Sequence, residues 1–163
     1  MPINSLSSTR MSTLTEPLRH HHKHCDDLFA AAEAAVVECD WMTAQHLLPG
    51  FLEEMESHFR TEEEALFPAF ETETGMTMGP TRMMRVEHAQ MRELFAQMRQ
   101  TLASRDSEGF AGVAETLLVL MQQHNMKEEN ILYPMCDRGL HAMLPNLEPV
   151  LRVRLGAACP VAC

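Results

Sequence analysis

HFRTEEEALFP, His58 to Pro68, places a histidine, three consecutive glutamates and an apolar run within three helical turns. The pattern returns further down the chain as HNMKEENILYP, His124 to Pro134. In both copies a carboxylate follows the histidine by four residues, Glu62 after His58 and Glu128 after His124. That spacing sets the two side chains one above the other on one face of a helix.

The same offset of 66 residues runs through most of the chain. His22 falls on His88, Leu28 and Phe29 on Leu94 and Phe95, Asp40 on Asp106, Met55 on Met121, and Pro68 on Pro134. Twelve of the 49 positions from 22 to 70 match their counterparts without a gap, so the chain reads as two copies of a helical hairpin. Asp40 and Asp106 stand where the second helix of each hairpin begins, and aspartate there caps the free N–H groups of a first turn.

Glycine- and proline-bearing stretches divide the chain into segments too long, and too rich in leucine, alanine, glutamate and methionine, to be strands. The spacing predicts main helices over 16–39, 41–71, 80–103 and 107–136, with a short fifth over 140–155. Pro80 suits a first turn, whereas Pro49 is expected to kink or restart the second helix. The fold expected is all-α: an up-down-up-down four-helix bundle with a short C-terminal helix. One domain over 1–163 is expected, its core over about 16–138.

Followed at alternating spacings of four and three, each helix yields an inward stripe. These are Leu18, His22, Cys25, Phe29, Ala32, Val36; then Phe51, Met55, His58, Glu62, Ala65, Ala69. The third is Met84, His88, Met91, Phe95, Met98, Leu102, and the fourth Leu117, Met121, His124, Glu128, Ile131, Met135. Four histidines and two glutamates thus point into an apolar core with no lysine or arginine on the stripes. An unpaired carboxylate there costs several kcal/mol, and a metal cation supplies the missing charge. Mixed nitrogen and oxygen donors favour iron or manganese over structural zinc, which usually takes sulfur.

Composition narrows the partners. With 45% hydrophobic and 22% charged residues the chain is no disordered tail. A net charge of −10 disfavours nucleic acid and anionic membrane surfaces. Five cysteines, an odd number without metal-finger spacing, suit a reducing compartment. The N-terminus lacks the apolar core of a secretion signal, so the expected location is cytoplasmic.

At HKHCDDLF, HFRTEEEALFP, EHAQMRELF and HNMKEENILYP the sequence resembles the hemerythrin-like (HHE cation-binding) domains, over about residues 18–138. The resemblance implies a four-helix bundle around a non-haem di-iron centre, carboxylate-bridged and oxo-bridged, with dioxygen, nitric oxide or peroxide as small ligands. By position, His22 and His58 would bind one iron, His88 and His124 the other, and Glu62 and Glu128 would bridge them. Oxygen carriers of this family have a second histidine on the third helix, where this chain has Arg92, and an aspartate where it has Glu129. Four histidines with two HxxxE acids resemble instead the iron-centre repair proteins, which usually carry an extra N-terminal cysteine domain. About five ligands per iron would leave a position open for a small molecule, in stress response or iron-centre repair. The alternatives are a gas or iron sensor or store without turnover, and a structural bundle with zinc or no metal. An electron donor or iron acceptor is not legible in the chain.

Other residues carry less. Of the run His20 to His24 only His22 has a repeat partner. His20, His21 and His24 are expected in solvent, with His21 or His24 the substitute ligand if the register slips. Cys25 reads as a buried, inert thiol, and Tyr133 as packing by analogy with Phe67, with a redox or hydrogen-bonding role the alternative. Glu63, Glu64 and Glu129 are expected on the solvated face, with Arg92 pairing one of them or lying at the pocket mouth. Cys159 and Cys163 read as a frayed terminus or a dithiol pair. His46 and His141 carry no role.

Overall fold

The computed structural model describes residues 12–156. Its helices are α1 (Glu16–Val37), α2 (Trp41–Thr61), α3 (Phe67–Thr74), α4 (Pro80–Ala103), α5 (Ser107–Lys127), α6 (Tyr133–Gly139) and α7 (Leu144–Arg154). No strand occurs among the described residues. α3 continues α2, and α6 continues α5, each through one π-helical turn, Glu62–Leu66 and Glu128–Leu132. Each hairpin packs on itself, α1 on α2 and α4 on α5, and the two join through α1 against α5 and α2 against α4. α7 lies across α1, α2 and the first π turn. The result is the expected all-α helical bundle.

The hairpin turns repeat in detail. Asp40 accepts from the Thr43 N–H at 3.1 Å and Asp106 from the Gly109 N–H at 2.8 Å, as the cap reading requires. The residue before each cap, Cys39 or Arg105, adopts φ of 57° or 53°. Pro80 lies in the first turn of α4. Pro49 does not restart its helix: α2 runs without interruption from Trp41 to Thr61, its packed face outweighing one lost hydrogen bond.

The π turns correct the stripes. The Phe67 N–H bonds the Glu62 carbonyl, and the Tyr133 N–H the Glu128 carbonyl, five residues back in place of four. Pro68 and Pro134 lack an N–H, and their rings would clash with the carbonyl four residues back. A widened turn just ahead relieves both problems. The extra residue advances the inward face by one position. Leu66, Phe67, Phe70, Leu132, Tyr133 and Cys136 are buried, while Ala65, Ala69 and Met135 are only half-buried and Ile131 is exposed. The expected inward placement of those last four fails for this reason. Upstream of the turns every stripe residue is buried.

Two apolar clusters result. One, toward the hairpin turns, holds Phe29, Phe51, Phe59, Phe95 and Phe110; the other, at the opposite end, joins Leu18, Phe67, Phe70, Met84 and Tyr133 to Leu147 and Leu151 of α7. A polar layer is sandwiched between them.

Candidate metal centre

That layer holds all six expected residues. Glu62 and Glu128 are fully buried, as is His88, and His22, His58 and His124 nearly so. Each carboxylate faces one histidine from each hairpin. Glu62 approaches His58 Nε2 through Oε1 (3.5 Å) and His88 Nε2 through Oε2 (3.2 Å). Glu128 approaches His22 Nε2 through Oε2 and His124 Nε2 through Oε1, both at 3.1 Å. Glu62, His88, His124 and Glu128 each offer one donor atom, all within 4.8 Å of one another, and His22, His58 and Glu128 form a second such set.

The donors fit a cation. Glu62 Oε2, His88 Nε2, His124 Nε2 and Glu128 Oε1 are buried without a hydrogen-bond partner. Orphaned polar atoms in an apolar layer are costly, and four converging on one point are satisfied together by one positive ion.

Each imidazole is held from behind through Nδ1. Glu129 takes His22 (2.7 Å), Glu63 takes His88 (2.8 Å) and Glu87 takes His124 (2.8 Å). A carboxylate at Nδ1 fixes the tautomer that turns the Nε2 lone pair inward. His58 Nδ1 instead meets His21 Nδ1 at 3.1 Å, and His21 Nε2 reaches Glu54 at 2.9 Å. These partners obey the 66-residue offset, Glu63 with Glu129 and His21 with Glu87. Arg92 clamps Glu63 and Glu56 with four bonds of 2.9–3.0 Å, and Lys127 pairs with Glu87.

Without a cation the layer balances its charge with protons. Burial disfavours the charged imidazole, but Glu128 and Glu129 outweigh it and raise His22 to about 9. Burial is likewise outweighed at His124, which Glu128 and Glu87 lift to about 10, and at His88, which Glu62 and Glu63 raise. At His58 burial wins and the pKa falls; His21 drops to about 4 through burial and the neighbouring His58. Against the cost of burial, the histidines hold Glu62 and Glu128 below the usual carboxylate range. A metal ion would displace these protons.

Several surroundings differ from the sequence expectation. His21 is buried, not solvated: α1 turns it with His22 toward α2, where it backs His58, whereas His20 and His24 are exposed as expected. Glu63 and Glu129 are half-buried, because the π turns carry them alongside the histidines of the other hairpin; only Glu64 faces solvent, pairing with Arg154. Glu87 lies off the inward stripe and is not among the residues expected at the site; its place beside His88, 66 residues after His21, is the signal the sequence holds for it. Cys25 is buried, its thiol pushed up by burial. Tyr133 packs as Phe67 does, and its hydroxyl also donates to Glu62 (2.5 Å) or Glu128 (3.0 Å). Cys159 and Cys163 lie outside the described residues.

No helix among the described residues is long and apolar enough to cross a membrane. No curated protein and no solved structure matches the chain. The sequence model of the hemerythrin HHE cation binding domain does match, over residues 13–136. With that match covering most of its length and a His/Glu cluster suited to metal at its centre, the chain belongs to the hemerythrin HHE cation-binding family.

Proposed function

We propose that the buried layer holds two iron ions and that the pair binds or reacts with a small ligand: dioxygen, nitric oxide or peroxide. His22 and His58 hold one iron, His88 and His124 the other, and Glu62 and Glu128 are shared. The observation that carries this reading is the quartet of unpartnered buried atoms, Glu62 Oε2, His88 Nε2, His124 Nε2 and Glu128 Oε1. His22, His58 and Glu128 form a second, three-donor set beside it. Nitrogen and carboxylate donors without thiolate favour iron or manganese over structural zinc.

A bound iron pair supplies electron exchange with such a ligand at positions the protein leaves open. The chain's own residues do the rest. Glu63, Glu87 and Glu129 hold the Nδ1 protons of three imidazoles, so that each Nε2 faces inward. Phe59, stacked on His88 with ring centres 4.0 Å apart, and Phe67 at 5.9 Å shield that half from water. Oxidative or nitrosative stress, or iron-centre maintenance, is the setting consistent with that chemistry.

Anaerobic loading with ferrous iron, metal analysis, and stopped-flow mixing with dioxygen, nitric oxide or hydrogen peroxide test the proposal. Two irons per chain and a saturable spectral change with at least one ligand are expected. Repeated mixing separates a reversible adduct from turnover. Retention of zinc alone, or iron inert to all three ligands, would overturn the reading.

A further inference from the structure

The two halves of the layer are not equivalent. Phe67 and Tyr133 occupy matching positions, five residues past the shared carboxylates. Each stacks on the first-helix histidine it faces, Phe67 on His88 (5.9 Å, 16°) and Tyr133 on His22 (5.6 Å, 16°). Only Tyr133 carries a hydroxyl. Its oxygen lies 2.5 Å from Glu62 Oε1, 3.0 Å from Glu128 Oε2, 3.3 Å from His22 Nε2 and 3.4 Å from His58 Nε2. Three of these residues, His22, His58 and Glu128, form the first-half donor set, and Glu62 closes it from the other side. The hydroxyl therefore lies within 3.4 Å of one donor atom from each, near enough to join them around an ion held there. In the second half no hydroxyl reaches the corresponding atoms, and among the described residues they have no hydrogen-bond partner.

From this juxtaposition, and resting on the di-iron reading above, we infer that Tyr133 is a phenolate ligand of the His22/His58 iron, and that an external ligand binds only at the His88/His124 iron. On loading, the phenol O–H bond breaks, an iron–oxygen bond forms, and the proton leaves to solvent with those displaced from the histidines. No electron is transferred in this step. The outer partners differ as well. The second half is backed by Glu63 and Glu87, themselves paired with Arg92 and Lys127; the first has Glu129 and, where Glu87 would recur, His21, with Glu54 one side chain further out.

The ferric protein, loaded with two irons, tests this by visible absorption and resonance Raman. A phenolate-to-iron charge-transfer band with enhanced phenolate ring modes is expected. Tyr133→Phe, whose ring alone Phe67 shows to pack at the equivalent site, should abolish the band and keep both irons. Phe67→Tyr should add a second phenolate signal. Nitric oxide titrated into the ferrous protein should bind once per iron pair, and twice in Tyr133→Phe. Two bound irons without phenolate modes, or modes that survive Tyr133→Phe, would overturn this inference and leave the di-iron centre standing. Failure to bind iron at all would remove both.

Discussion

Replacing Glu87 by glutamine should weaken one metal position and spare the other. Among the described residues Glu87 alone bonds His124 Nδ1, at 2.8 Å, and its second oxygen pairs with Lys127. Glutamine keeps the size and one acceptor oxygen but loses the charge that makes the imidazole a stronger donor. Removing such an outer partner commonly costs 10–100-fold in metal affinity, about 1.4–2.8 kcal/mol. Because an acceptor survives, the lower end applies, roughly tenfold. The assay is competition for ferrous iron against a chelator, with circular dichroism to confirm the helices. One of two irons should be lost more easily, the one at His88/His124. Glu54→Gln should do less, since Glu54 touches the site only through His21. Unchanged affinity in Glu87→Gln, or equal weakening of both positions, would refute the claim that these carboxylates tune single imidazoles.

The metal-free protein should lose stability as the solution turns alkaline. His22 and His124 hold protons to about 9 and about 10 when folded, against 6.5 ordinarily, so their contribution is complete below pH 6.5 and lost as pH rises through 9–10. Thermal melts across that range should show a falling midpoint, flatter in the iron-loaded form, where cations replace the protons. Phe59→Ala removes a fully packed ring against His88 and should cost about 3–5 kcal/mol, lowering the melting temperature by roughly 6–20 °C in differential scanning calorimetry. Asp106→Ala removes the cap at Gly109, far from the metal layer. It should cost about 1 kcal/mol, visible in urea unfolding, with iron content unchanged.

The bundle and the polar layer were legible because both rest on helical periodicity and on a repeat that any comparison of residue n with n+66 reveals. His22, His58, His88 and His124 lie on uninterrupted α-helix, where spacing fixes the face. Beyond Glu62 and Glu128 that rule stops working, because the π turn ahead of Pro68 and Pro134 adds one residue to the count. Regular spacing therefore leaves Tyr133 off the stripe and puts Ile131 on it, the reverse of what the chain does. His21, Glu63, Glu87 and Glu129 were illegible for another reason. Each sits beside a proposed ligand in sequence but serves a histidine on another helix, and that pairing depends on how the hairpins cross. The offset of 66 relates these residues in two pairs, Glu63 with Glu129 and His21 with Glu87, and is the hint in the sequence that the members of each pair act alike.

The central claim is that two cations share Glu62 and Glu128. Anomalous diffraction at the iron absorption edge, on crystals grown with iron, measures this directly. The expected map has two peaks per chain, one beside His22 and His58, the other beside His88 and His124, with a glutamate oxygen turned toward each. A single peak, or iron bound only by the exposed His20 and His24 with the buried layer empty, would contradict it.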